Sequence, residues 1–204
     1  CLDAGTGKRL WDFTAGGRID SPPTIHNGLA LFGCWDGRVY AIRADNGQLA
    51  WRFRAADDER TIPVEGQFES PHPVSGSVLL LDNVVYFAAG RSSYLDSGLQ
   101  LYGLDPKTGE ILHHAEIDGR WPDVRQETGR PFDMEGTKSD ILVTDGNHIF
   151  LYQMAFDKQL NDVTGERVTP LGDRFCGRHL MATGGFLEDC WYNRTFWTYS
   201  NRWP

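Results

Sequence analysis

The sequence predicts an all-β fold, a β-propeller of four-stranded antiparallel blades, and three observations support it. Short apolar runs alternate with turn residues along the 204-residue chain, which contains 23 glycines and 10 prolines. A segment with one pattern of glycine and aromatic residues recurs at a spacing of forty residues. Each period has room for four short strands, and four strands in about forty residues are typical of a propeller blade.

The recurring segment is predicted to be a β-hairpin around a glycine turn. Its first two copies read LDAGTGKRLWDF at 2–13 and IRADNGQLAWRF at 42–53. Glycine tolerates the positive φ that such a turn needs, and Asp or Asn beside it bonds to the local backbone. We expect the aromatic side chain after the turn to pack between neighbouring blades. The predicted structural docking residues of these copies are Gly7, Trp11, Gly47 and Trp51.

A third copy, LDPKTGEILH at 104–113, departs from the first two. Gly109 occupies the turn, but His113 stands where tryptophan is expected, and we predict docking roles for both. About 22 extra residues separate this copy from the second, chiefly within Arg54–Ser75. A turn or two of helix is expected in this insertion at Glu65–Ser70.

Apolar runs supply the other strands of each unit. Asn27-Gly28 lies between two such runs and is a strong hairpin signal. The predicted strands lie at 21–26, 29–33 and 38–43, then at 77–81, 84–90 and 99–104, then at 140–144 and 148–154, and finally at 179–182 and 195–199.

These runs predict one propeller domain over residues 1–204. The predicted divisions are the end of a blade at 1–17, a blade at 18–55, a blade at 64–118 preceded by the insertion, a blade at 132–170, and the start of a further blade at 171–204. No apolar run reaches the 18 residues that a membrane span needs. Because the chain opens in mid-pattern at Cys1, we expect the front of the propeller to lie outside this sequence.

Charge and cysteine content narrow the function classes. A net charge of -8 argues against a nucleic-acid binder, which needs a basic face. None of the four cysteines forms a CxxC pair, and no residue is nominated as a metal ligand. Isolated thiols are favoured, and a Cys176–Cys190 bridge or a metal site of Cys176, His179 and Cys190 stays open.

The first copy resembles the tryptophan-docking repeat of the quinoprotein alcohol dehydrogenase-like (PQQ-like) propellers, with Asp3, Thr6, Gly7, Lys8 and Trp11 in place. The segments 88–98, 129–136, 184–189 and 191–197 resemble large bacterial PQQ-like repeat proteins of planctomycete type. The resemblance implies a propeller of about eight blades, of which this chain would hold four to five. It also implies a bacterial protein in the periplasm or outside the cell.

Three polar loop clusters are candidate ligand-binding sites. Arginine offers paired donors to carboxylates, and Asp or Glu offers oxygen ligands to calcium. The same charges could instead hold adjacent blades together, which is the favoured interpretation. The clusters are Arg91 with Asp96, then Arg130, Asp133 and Glu135, and then His179, Asp189, Trp191 and Arg194.

Three functions follow, and no catalytic residue is nominated. The favoured one is a non-catalytic scaffold for a protein or small-molecule partner, without a bound cofactor. The resemblance implies the alternative, an alcohol or sugar dehydrogenase using PQQ and calcium, but the adjacent Cys-Cys pair expected of such enzymes is missing from these 204 residues. Trp121 and Trp191 leave carbohydrate binding as a third option.

Overall fold

The computed structural model is built from fifteen β-strands, and no helix occurs in the part of the chain that it describes. The described residues are 1–56, 59–93, 95–118, 137–151 and 154–163, together with the backbone alone of 175–182 and 197–202. The all-β prediction is confirmed. Within these residues no helix is long and apolar enough to cross a membrane.

The first blade is a four-stranded antiparallel sheet with its strands in chain order. Asn27 and Gly28 join the first two strands with φ of 46° and 76°, and this pair of positive φ values matches the twist of a two-residue hairpin. The strands are β1 (Thr24–His26), β2 (Leu29–Cys34), β3 (Arg38–Arg43) and β4 (Leu49–Arg54).

A two-stranded hairpin precedes the second blade, where the sequence has its insertion. It consists of β5 (Ile62–Val64) and β6 (Gln67–Glu69). The expectation of helical turns at Glu65–Ser70 is therefore wrong. Glu65 and the following glycine adopt φ of 46° and 81°, which a right-handed helix does not allow.

The second blade repeats the order of the first, and shorter sheets follow it. Its strands are β7 (Leu79–Leu81), β8 (Val84–Ala89), β9 (Leu99–Leu104) and β10 (Ile111–Ile117). The later strands are β11 (Val143–Thr144), β12 (Ile149–Leu151) and β13 (Met154–Phe156) in one sheet, and β14 (Phe175–Ala182) paired with β15 (Trp197–Arg202).

The core consists of apolar clusters sandwiched between successive sheets. Leu31 and Val39 of the first blade share a buried cluster with Val85 and Phe87 of the second. Alternate residues of a strand face opposite sides of its sheet, so Phe32 belongs instead to the cluster on the preceding side. Both faces of the two four-stranded blades are thus covered, as in stacked propeller blades.

Strand direction alternates, so the loops separate onto two faces of the blades. The turns between β1 and β2 and between β3 and β4 lie on one face, here called the hairpin face. The connector face carries the opposite ends: the β2–β3 turn, the insertion that follows β4, and the β8–β9 loop at 90–98. Loops that depart from the repeat are therefore gathered on the connector face.

Candidate functional site

Two tryptophan side chains cross from one blade to the next on the hairpin face. Trp11 Nε1 donates a hydrogen bond to the carbonyl oxygen of Ala44 at 3.1 Å. Trp51 Nε1 donates in the same way to the carbonyl of Pro106 at 3.0 Å. Both acceptors lie in the turn between the third and fourth strands of the following blade, so each bond joins two successive hairpins.

Each tryptophan ring lies against a turn glycine of that next hairpin. A Cβ added to Gly47 would lie 2.7 Å from the ring of Trp11, and one added to Gly109 would lie 2.8 Å from Trp51. Both glycines also have positive φ. Gly7 shares the turn geometry, but an added Cβ there meets nothing within 4 Å. We propose that these contacts are the docking role predicted for the repeat.

The third junction uses a tyrosine in place of the missing tryptophan. The hydroxyl of Tyr86 donates to the carbonyl of Lys158 at 2.7 Å. His113 stacks on the tyrosine with ring centroids 6.3 Å apart and planes 2° from parallel. Burial, and then the charges of Asp82 and Asp157, raise the pKa of Tyr86. The hydroxyl therefore keeps its proton and remains a donor.

Arg91 and Asp96, the two described candidates of the first loop cluster, both pair with the insertion. Arg91 Nη2 lies 2.6 Å from Glu69 Oε2, and the Glu69 side chain is only 3% exposed. Arg60 Nη2 lies 2.8 Å from Asp96 Oδ1. The loop supplies the cation of one pair and the anion of the other, so the two segments are joined by ion pairs of opposite sense.

Two guanidinium groups contact the ring of Trp35 beside these pairs. The Cζ atom of Arg18 is 4.1 Å from the ring centroid, and that of Arg91 is 5.2 Å away. Arg91 also donates to the carbonyl of Ser70 at 3.4 Å, and Ser70 N donates to the carbonyl of Trp35 at 2.9 Å. Cation–π contacts and hydrogen bonds thus fix the arginine to its surroundings.

Asp36 anchors the β2–β3 turn next to that tryptophan. Its Oδ2 accepts from the hydroxyl of Tyr40 at 2.5 Å and from Arg38 Nη1 at 3.3 Å. Burial, then the hydrogen bond to Asp36, raises the pKa of Tyr40 to about 12. Burial likewise raises the pKa of Cys34 to about 12, with the charge of Asp36 adding to it. Both groups are therefore protonated at neutral pH.

Arg91, a candidate partner for a cofactor carboxylate, is already occupied by another carboxylate. A quinone bearing several carboxylates needs open guanidinium groups, whereas Arg91 faces the buried carboxylate of Glu69. Calcium needs six to eight oxygen ligands. Across the described ranges, no three His, Cys, Asp or Glu side chains are grouped so that they could hold a metal ion.

The other sequence candidates fall outside the described side chains. His179 and Cys176 belong to β14, of which only the backbone is described. Cys1 and Cys34 are free thiols, the first exposed and the second buried. The remaining candidates lie outside the described residues: Arg130, Asp133, Glu135, Asp189, Cys190, Trp191 and Arg194.

Sequence reasoning missed the partners that the first cluster uses. Glu69 and Arg60 come from the insertion, for which the sequence predicts only a turn or two of helix and no site residue. A usable signal was present, because the insertion and the 90–98 loop both depart from the repeat and carry charges of both signs. Two non-repeat segments that lie on the same face of neighbouring blades are expected to contact each other.

Comparison with known proteins identifies matches of two kinds. A family model described as "Outer membrane protein assembly factor BamB" matches residues 1–169. The outer membrane protein assembly factor BamB of Burkholderia pseudomallei is 33% identical over 75 residues, 37% of this chain and 19% of that protein. The quinoprotein ethanol dehydrogenase of Pseudomonas putida is 28% identical over 165 residues, 63% of this chain and 25% of that protein.

Solved structures agree on the fold. The quinohemoprotein alcohol dehydrogenase of Comamonas testosteroni has a TM-score of 0.52 at 18% identity, over 78% of this chain and 30% of that chain. The enzyme ADHIIG of Pseudomonas putida HK5 also scores 0.52, at 17% identity over 90% of this chain and 32% of that chain. At this identity the likeness shows the propeller fold alone. The chain spans a quarter or less of the two relatives named by sequence.

Proposed function

Because the chain belongs to the PQQ_2 family of PQQ-like repeat proteins, we propose that it is part of a non-catalytic propeller that serves as a binding or assembly scaffold. The proposed partner is a protein, and it docks on the connector face. The family model and one relative carry the name of an assembly factor. We further propose a periplasmic or outer-membrane-associated location in a bacterium.

The exposure of Phe68 is the observation that carries this proposal. Phe68 lies in β6 and is 74% exposed, the most open large hydrophobic residue among those described. The next residue, Glu69, is buried in its ion pair with Arg91, so the hairpin is held in place while it presents the ring to solvent. Exposed aromatic anchors surrounded by polar groups are typical of protein interfaces.

A charged cavity beside this ring supplies the polar surroundings. The cavity has a volume of about 170 Å³, and Arg38, Arg54 and Glu59 line it together with Phe68. Arg54 Nη1 lies 3.0 Å from Glu59 Oε1. A partner could therefore bury an apolar group against the ring and form hydrogen bonds with the charged rim.

Site-specific photo-crosslinking in cells that make the whole protein tests the scaffold. A photoreactive phenylalanine analogue replaces Phe68, and the same analogue replaces Ile25 as a matched control. Ile25 is also an exposed hydrophobic residue, at 62%, but it lies on β1. We expect a discrete crosslinked protein from position 68 alone. Identical products from both positions, or none from position 68, would contradict the proposal.

A quinoprotein oxidoreductase is the second candidate, favoured by sequence similarity to dehydrogenases over 120 to 165 residues. The purified whole protein would be mixed with PQQ and calcium, and cofactor absorbance and dye reduction with alcohols would be followed. Binding at about tens of micromolar together with turnover would establish the enzyme. The scaffold proposal predicts neither response.

A further inference from the structure

A second cavity on the connector face has the character of a small-molecule site. It has a volume of about 250 Å³ and lies where the first blade leads into the second. Ala55 and Ala56 follow β4 on one side, and Gln100, His114 and Glu116 extend from β9 and β10 on the other. Neither the docking contacts nor Phe68 belongs to it.

His72 lines this cavity, and one nitrogen of its ring is buried without a hydrogen-bond partner. The backbone N–H of His72 donates to Ser70 Oγ at 3.1 Å, but its ring Nδ1 is buried and makes no hydrogen bond. Among the described residues, five buried side-chain atoms lack a hydrogen-bond partner. Of the five residues that carry them, His72 lines this cavity. A buried polar atom without a partner is unfavourable unless water or a ligand completes it.

The polar groups of the cavity include positively charged, negatively charged and neutral side chains. Arg60 and Asp96 form their 2.8 Å ion pair at the wall. The ring Nε2 of His114 and the Oε1 atom of Gln100 are 2.8 Å apart. Together with Glu116, the site offers both donors and acceptors. Two carboxylates against one guanidinium disfavour an anionic ligand, because like charges repel in a partly enclosed site.

Apolar surface forms the remaining wall. Tyr102 is buried, its ring stacks on His114 with centroids 4.5 Å apart, and its hydroxyl donates to the carbonyl of Ala55 at 3.1 Å. The wall beside the polar groups is therefore aromatic and aliphatic. A ligand with hydroxyl groups on one side and C–H groups on the other matches both kinds of surface.

We propose that this cavity binds a neutral polyhydroxylated molecule the size of a monosaccharide, with one ligand hydroxyl on a ring nitrogen of His72. A hydroxyl is the ligand group that suits a ring nitrogen in either tautomer, because it donates to a bare nitrogen and accepts from an N–H. The size of the cavity, below the range of drug-sized pockets, selects a single ring. The proposal goes beyond the scaffold function and does not depend on it.

Titration of the whole protein with D-glucose, followed by nuclear magnetic resonance of the histidine rings, tests the site. We expect the His72 ring signals to shift in a saturable way, with a Kd below about 50 mM. His72→Phe keeps a flat ring but removes both ring nitrogens and should weaken binding at least about tenfold. His26→Phe, the same change on the hairpin face, should leave binding unaltered.

A second variant covers the case in which His72→Phe does not fold. Gln100→Leu removes a polar group from the wall and should also weaken glucose binding about tenfold, or by about 1.4 kcal/mol. Citrate serves as the anionic probe and should leave the His72 signals unmoved. Unmoved His72 signals with glucose, equal binding by the His72 and Gln100 variants and the unaltered chain, or preferential binding of citrate would each overturn the proposal.

Discussion

The hydroxyl of Tyr86 donates to the carbonyl of Lys158 at 2.7 Å, where two earlier junctions use a tryptophan N–H. Lys158 follows Asp157, just as Pro106 follows Asp105 in the preceding turn. The acceptor is therefore at the same position of the turn in both cases. The donor differs, because Trp51 is on the fourth strand of its blade and Tyr86 is on the second. A hydrogen bond between blades persists although the residue that normally supplies it is a histidine.

Comparing the same row of three residues in the two blades shows how a tyrosine and a histidine replace the tryptophan. Strand register places Tyr86, Gly103 and His113 side by side in the second blade. The first blade places Leu31, Ala41 and Trp51 in the same row. A Cβ on Gly103 would lie 2.9 Å from the tyrosine ring and 3.2 Å from the histidine. The glycine therefore makes room for the larger pair.

Replacing His113 by the tryptophan of the other repeats, with no other change, should destabilise the second blade. His113→Trp adds a larger ring against Tyr86, and we expect a loss of about 1–3 kcal/mol in the free energy of unfolding, as for overpacked cores. Adding Tyr86→Leu and Gly103→Ala should recover most of that loss, because the new indole can donate to Lys158. Urea denaturation of the single and triple variants measures both. If the triple variant instead loses more free energy of unfolding than His113→Trp alone, the two added substitutions do not compensate for the tryptophan.

Gly109 should be intolerant of alanine for two separable reasons. Gly109→Ala puts a methyl group 2.8 Å from the ring of Trp51 at a φ of 76°. Gly28 has the same φ of 76° but nothing within 4 Å of an added Cβ. Gly28→Ala should cost about 1 kcal/mol from backbone strain alone. Gly109→Ala should cost at least about 1 kcal/mol more, and equal midpoints in urea would contradict the docking contact.

Cys34 should resist thiol reagents until the chain unfolds. Burial raises the pKa of Cys34 to about 12, so the reactive thiolate is scarce at pH about 8. In a variant with Cys176→Ser and Cys190→Ser, Ellman's reagent should modify one thiol quickly, the exposed Cys1. The second should react only in denaturant. Rapid modification of two thiols in the folded chain would show that Cys34 is accessible.

Acid should weaken the turn that contains Asp157. Partial burial raises the pKa of this carboxyl, but hydrogen bonds from the side chain and backbone of Asn161 and from Gln159 N outweigh it, so the pKa is lowered. Such a group stabilises the fold above the unfolded value of about 3.9, and the contribution is lost as pH falls through the lowered value. Asp157→Asn should therefore unfold at lower urea than the unaltered chain at pH about 7, with the gap closing in acid. A gap independent of pH would exclude this linkage.

Local chemistry explains why so much of the fold was predictable from the sequence. Turns such as Asn27-Gly28 need positive φ, and apolar runs such as Leu29–Cys34 must be buried between sheets, so both leave a signal in a few adjacent residues. The forty-residue spacing of the repeat then predicted a blade of four strands. The hairpin in the insertion was missed because Glu65–Ser70 has no such repeat to compare it with.

The candidate site was less predictable, because its partners are far apart in the chain. Arg91 was identified as a polar loop residue, but Glu69 lies 22 residues before it. Asp96 and Arg60 are 36 residues apart. The gap left by His113 was visible in the sequence, whereas its replacement by Tyr86 depends on a neighbouring strand. Pairing of this kind is set by the assembled blades and leaves no local pattern.

The two opposite ion pairs also make the insertion and the 90–98 loop parts of one unit. Grafting residues 59–70 alone onto another blade would separate Arg60 from Asp96 and the buried Glu69 from Arg91. Grafting the 90–98 loop alone would strand Asp96 and Arg91 in the same way. Engineers, and evolution by blade duplication, must therefore move both segments together.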